Sequence, residues 1–238
     1  MRHVHRRAVA SGVVLTALCV MLFGCGGMAS RPDVETATND GGRPAKSATP
    51  SRPAAENSMS LGSANATLTI VEFSDYQCSY CRRFHAEVLP ALRKAYIDTG
   101  KVQLIFKDYP LSMHREALPA ALAGRCAAAQ GKFWSMNELL FANQERLAGA
   151  LYPKLAATLA LDVEAFKACL QDPALTVAIQ RDQQQALDLG VNATPGFLIG
   201  RGLPEGLRIE RVGTGFIDFA ALSIELDKLL AAPDPAPK

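Results

Sequence analysis

Leu68-Thr69-Ile70-Val71-Glu72-Phe73-Ser74-Asp75-Tyr76-Gln77-Cys78-Ser79-Tyr80-Cys81 is the stretch on which the reading turns. Apart from Glu72, its first six residues are apolar or β-branched, which predicts a short buried strand. Beyond Cys81, Phe84, Val88, Leu89, Leu92 and Tyr96 recur at helical spacing. The Cys-x-x-Cys pair therefore stands where a strand passes into the first turn of a helix. Unpaired N–H groups and the positive end of the helix dipole favour a thiolate there. Cysteines so placed have pKa values lowered to between about 3.5 and 7.5. Cys78 is expected to be exposed and nucleophilic, and Cys81, one turn further in, to resolve a mixed disulfide.

Other uses of the pair fit less well. A c-type haem site needs His directly after the second cysteine, where Arg82 stands. Zinc would draw on Cys78, Cys81 and His85, but no second Cys-x-x-Cys or His-x-x-His supplies a fourth ligand. No metal site is expected, and His85 reads as a surface histidine. A purely structural bridge between Cys78 and Cys81 would close too small a loop to stabilise much.

The 238 residues are 49 % apolar and 20 % charged, the composition of a globular protein with core to spare. Residues 1–58 hold seven of the 25 basic and four of the 23 acidic groups, leaving 18 and 19 for the rest. The folded part is thus near neutral, with no basic stripe to track a phosphate backbone, and nucleic acid is not an expected partner. Arg2, Arg6 and Arg7 precede an uncharged run from Ala8 to Phe23, which predicts an export signal over residues 1–24. Its end, Leu22-Phe23-Gly24-Cys25, resembles the lipobox of bacterial lipoproteins, implying a lipidated Cys25 and a membrane anchor. Cleavage near Gly27-Met28-Ala29 and retention as an uncleaved anchor are the alternatives. Each places the domain outside the cytoplasm, in the periplasm or at the cell surface. Between Gly26 and Ser58 there is no Leu, Ile, Phe, Tyr or Trp, so residues 25–58 read as a disordered tether. Residues 59–231 are expected to form the domain, and 232–238 a Pro-rich tail.

Val71 to Cys81 resembles the active-site segment of the DsbA-like branch of the thioredoxin superfamily. The likeness continues through Phe106-Lys107-Asp108-Tyr109-Pro110-Leu111, Gly131-Lys132-Phe133-Trp134 and Ala193-Thr194-Pro195-Gly196-Phe197. The resemblance implies an α/β class protein: a thioredoxin fold with a helical domain inserted between core strands. The residues themselves predict a second strand over Val102 to Phe106, a helical insert from about 112 to 189, and strands at Phe197-Leu198-Ile199 and Leu207-Arg208-Ile209. A last helix is expected over Ile217 to Leu230. Asp162 and Asp172-Pro173 read as helix starts.

The resemblance also implies roles. Pro195 matches the family's cis-proline opposite the cysteines. Lacking an N–H, it would leave the Thr194 backbone free to pair with an extended substrate. Ser79 and Tyr80, between the cysteines, would meet substrate as well. Glu72 stands where the superfamily has a buried acid beneath the second cysteine. Sharing a strand face with Leu68 and Ile70, it would be partly desolvated and placed to exchange a proton with Cys81. Asp75 is expected nearer the surface, as a loop or capping residue. Cys126 and Cys169 lie in the insert among small residues that would let two helices approach, so a structural disulfide is the leading reading. A regulatory pair or two free thiols are the alternatives. Phe133, Trp134 and Phe141 read as core.

The function implied is thiol–disulfide exchange with exported protein thiols or disulfides, in concert with a membrane redox partner. No cofactor is expected, because the Cys78–Cys81 dithiol itself carries the electrons. The export signal and the insert favour an oxidase. Thr194 and Tyr80 look more like members that reduce or isomerise disulfides. A non-catalytic peptide-binding module is a further alternative, which the intact cysteine pair argues against.

Overall fold

The computed structural model describes residues 58–203 and 206–233. The expected export signal, Cys25, the expected tether up to residue 57 and the tail from residue 234 lie outside the described residues. Five strands form one mixed sheet in the order β1-β3-β2-β4-β5: β1 Ser60–Leu61, β2 Leu68–Ser74, β3 Val102–Asp108, β4 Gly196–Leu203 and β5 Gly206–Thr214. β2 runs parallel to β3, with Leu68 opposite Val102 and Ser74 opposite Asp108. Its other neighbour, β4, is antiparallel and sets Glu72 against Phe197. Every residue of β2 is buried, as its continuous apolar run requires of a central strand covered on both faces.

The parallel β2–β3 pair needs a crossover, and the helix that starts at the cysteines supplies it. This helix, α1 (79–97), is α-helical over Ser79–Arg83 and Leu89–Leu92 and π-helical over Phe84–Val88 and Arg93–Ile97. Pro90 cannot donate to the carbonyl of Ala86, and the wider turn beside it absorbs the missing bond. Phe84, Val88, Leu89 and Leu92 from α1 pack with Leu68, Ile70 and Leu104 of the sheet. The closing helix α7 (Phe219–Ala231) adds Leu222, Leu226 and Leu229 to the same layer.

Between β3 and β4 come five helices: α2 (Ala117–Ala129), α3 (Phe133–Ala142), α4 (Tyr152–Thr158), α5 (Val163–Cys169) and α6 (Pro173–Asp188). The thioredoxin fold with an inserted helical domain is therefore the observed architecture. Asp162 and Asp172 accept backbone N–H bonds from Ala165 and Ala174, as N-caps do. The insert has its own apolar core, in which Ala120, Cys126, Phe133, Met136 and Leu140 meet Tyr76, Cys78, Cys81 and Phe106 from the thioredoxin part. The active-site cysteines thus lie at the seam of the two.

Two features tie that seam. Arg125 of α2 is buried and bonds Asp108 at the end of β3 (2.6 Å) and Asp182 of α6 (2.5 Å), while Lys107 also reaches Asp182 (2.7 Å). Burial pushes the Asp108 carboxyl up to about 6 against the pull of Arg125, and the Asp182 charge adds to the rise. Gly124 is the second feature. A Cβ there would lie 3.0 Å from the Tyr76 hydroxyl, so the missing side chain lets α2 settle on that ring. Cys126 and Cys169 are disulfide-bonded, with Cα atoms 5.7 Å apart, and join α2 to α5.

Candidate active site

Past Ser74 the chain leaves the sheet and turns once before α1. Asp75 organises that turn. Its carboxylate accepts from the backbone N–H of Gln77 (2.7 Å) and Leu111 (2.7 Å) and meets His114 Nδ1 (2.8 Å). Its carbonyl accepts from the N–H of Cys78 (3.1 Å). The residue expected near the surface is buried, because three polar partners make burial affordable. Gln144, in the 3₁₀ turn Gln144–Arg146 of the insert, closes the other side. Its Nε2 donates to the carbonyls of Tyr76 (2.7 Å) and Cys78 (3.0 Å).

Cys78 caps α1 in extended conformation, and Cys81 lies fully buried in the first turn. Both are free thiols, so the structure is the dithiol form. Cys78 is only 7 % exposed, which corrects the expectation of an open nucleophile. Cover comes from the cis Thr194–Pro195 peptide, where the Cys78 thiol donates to the Thr194 carbonyl (3.4 Å). That backbone, expected to be free for substrate, is engaged with the cysteine in this form. Between the cysteines, Ser79 is exposed and Tyr80 is 56 % exposed.

The two thiols are driven apart electrostatically. Cys78 falls from 9.0 to about 6. The hydrogen bond from the Cys81 thiol is the main cause, with Thr194 and the backbone N–H groups of Cys81 and Tyr80 adding to it against the opposing effect of burial. Cys81 is pushed well above the ordinary thiol range, first by burial, then by Cys78, with Glu72 adding to the rise. Two hydroxyls, Ser74 Oγ and Thr194 Oγ1, are buried with no hydrogen-bond partner in the dithiol form. Each favours a thiolate, Ser74 at Cys81 and Thr194 at Cys78.

Glu72 is fully buried on the α1 side of the sheet, and its carboxyl oxygens lie 2.9 and 3.1 Å from His85 Nε2. The histidine expected at the surface has a side chain only 6 % exposed. Its position was the signal that could have found it: His85 shares the helix face of Cys81, Phe84 and Val88. Ser74, Gln144 and Asn137, which donates to Tyr76 Oη (3.2 Å), carry no such local signal, since each acts across the fold.

A family described as Thioredoxin matches residues 54–212. A protein of Bacillus cereus named Probable disulfide bond formation protein D is 32 % identical over 157 residues, 61 % of this chain and 71 % of that one. Na(+)/H(+) antiporter NhaA 3 of Salinispora tropica is 34 % identical over 139 residues, 58 % of this chain, and the chain spans only 21 % of the antiporter's length. Among solved structures, alpha-DsbA1 of Wolbachia pipientis superposes with a TM-score of 0.65 at 28 % identity, covering 72 % of this chain and 90 % of that one. With a cysteine pair at the N-terminus of α1 and a helical insert between β3 and β4, the chain belongs to the DsbA-like family of thioredoxin-fold thiol–disulfide oxidoreductases.

Proposed function

We propose that this protein is an extracytoplasmic disulfide oxidase that passes the Cys78–Cys81 disulfide to exported proteins. The observation that carries the reading is the asymmetry of the pair, with Cys78 acidic and Cys81 held as a thiol. A thiolate stabilised in the dithiol form makes the disulfide form more oxidising. A substrate thiolate attacks Cys78, the Cys78–Cys81 bond breaks, and Cys81 leaves as a thiolate that takes a proton. A second substrate thiolate then attacks the substrate sulfur of the mixed disulfide and releases Cys78. Two electrons end on the enzyme's dithiol, and a membrane partner takes them away. No other cofactor is required.

Glu72 is the proton donor to Cys81. Thr194 and Pro195 flank the reacting sulfur and present backbone to an extended substrate, with Ser79 and Tyr80 completing the contact surface. Cys126–Cys169 is structural. Cys25 is the lipidation site, and the residues after it are a tether to the membrane. Among the described residues no helix is long and apolar enough to cross a membrane.

The test is the reduction potential of the pair, by equilibration with glutathione. A value toward about −120 mV, the oxidising end of the scale for such dithiols, supports the oxidase. A value near about −270 mV reassigns the protein as a reductase or isomerase. A C78S variant that retained full activity would leave only a peptide-binding role.

A further inference from the structure

The buried Glu72–His85 pair has more structure than a proton donor needs. Both carboxyl oxygens of Glu72 meet one atom, His85 Nε2. The imidazole is held by aromatic rings, with Phe141 at 4.2 Å between centroids and Phe84 and Phe106 edge-on at 5.8 and 6.0 Å. Its other nitrogen, Nδ1, is buried without a hydrogen-bond partner. The same ring forms part of the wall of a groove of about 610 Å³ between α1 and α3. The ionisable groups sharing that wall are Arg82, Arg93, Lys94, Asp98 and Glu138. On the inner side the ring faces Glu72, which in turn acts on Cys81 and Tyr76.

A buried polar nitrogen left unpaired is costly, and a simple countercharge for Glu72 does not need one. Lys or Arg in this place would hold the carboxyl ionised. An imidazole differs because it can hold or give up a proton at either of two ring nitrogens. Here one nitrogen meets the carboxyl and the ring borders the groove.

We propose that His85 is a positioning and relay residue that acts through Glu72, carrying protons between the groove and Cys81. The inference rests on the reading of Glu72 as the proton donor. When the Cys78–Cys81 bond breaks, the Cys81 thiolate takes the proton of the Glu72 carboxyl. The carboxylate recovers a proton from Nε2, and the ring takes up another at Nδ1 once a shift of the groove wall brings that closed-off nitrogen to water. One proton enters and ends on the Cys81 sulfur, while the two electrons travel only through the sulfurs. Re-oxidation of the dithiol runs the same path outward.

The experiment is reduction of the oxidised full chain by dithiothreitol, stopped by acid quenching and thiol labelling across a range of pH, in H85Q, H85A and E72Q. H85Q keeps an N–H for Glu72 but cannot pass a proton on. Relay predicts that H85Q and H85A slow the step by about tenfold, less than the roughly hundredfold or more of a group that meets the reacting atom itself because His85 acts at one remove through Glu72, with the deficit widening as pH rises. It also predicts that small imidazoles restore H85A in order of basicity. A wild-type rate and pH profile in H85Q overturns the proposal. So does a deficit that is flat with pH and rescued by imidazole size rather than basicity, because that marks His85 as packing alone. Should H85A fail to fold, H85Q decides by itself. A wild-type profile in E72Q overturns the reading of Glu72. A slow E72Q beside a wild-type H85Q overturns only the relay.

Discussion

At Cys78 the donors that favour a thiolate outweigh the burial that opposes it, and the order of their contributions is testable. Thiolate absorbance is expected to titrate near pH 6. C81A should raise that midpoint more than T194V does, because the Cys81 hydrogen bond is the larger contribution. The opposite ranking would show that the cis-proline side sets the acidity. The sign of the linkage follows. The folded thiol is more acidic than the same thiol unfolded, so the dithiol form gains stability as pH rises from about 6 toward 9.0 and loses it as pH falls back through about 6. Denaturant melts of the dithiol form should show that gain, and C78S should lack it. Both cysteines and Glu72 were legible from local pattern. His85 is within reach of the same pattern, because a polar residue on an apolar helix face calls for a buried partner.

Among the elements, those announced by local chemistry were readable. Asp162 and Asp172 cap α5 and α6 because capping involves a side chain and an N–H two or three residues away. D172A is expected to cost about 1 kcal/mol in a thermal or denaturant melt. The two-residue β1 was not readable, since Ser60 and Leu61 become a strand only by pairing with Ile105 and Leu104. The π-helical turns of α1 escaped for a similar reason, because apolar spacing alone does not register one extra residue in a turn. Small residues flank both Cys126 and Cys169, whose helices are bridged, and Gly124 among them also makes room for Tyr76. The bridge spans a sequence separation of 43, and by chain entropy C126S/C169S should lose about 4 kcal/mol of stability. A loss within the error of the melt would mean the insert holds its shape without the bond.

On the scale of the molecule, the question is what joins the insert to the sheet at the place where the cysteines sit. Arg125, Asp108, Asp182 and Lys107 draw together α2, α6 and the end of β3. R125M would leave two buried carboxylates without their main countercharge, at a cost of about 3–5 kcal/mol, measured by equilibrium unfolding. Gln144 makes the same junction by hydrogen bonds alone. Q144A strands the buried Tyr76 carbonyl, while the Cys78 carbonyl keeps the Arg82 N–H; the loss is worth about 1–3 kcal/mol and should lower the rate of thiol exchange more than an equally destabilising change elsewhere in the insert.

The strand, the turn and the helix around the cysteine pair, the helical character of residues 112–189 and the family these imply are all legible in the chain. Those features are written in periodicity, capping and short motifs, which act over a few residues. Contacts across the fold settle that Cys78 is covered by Thr194, that His85 is buried against Glu72, and that Gln144 and Arg125 reach from the insert to the active-site end of the sheet. Each of these is a contact between residues distant in the chain or on different elements. Its strength comes from burial, where an unpaired charge or amide is costly, and burial is a property of the folded whole.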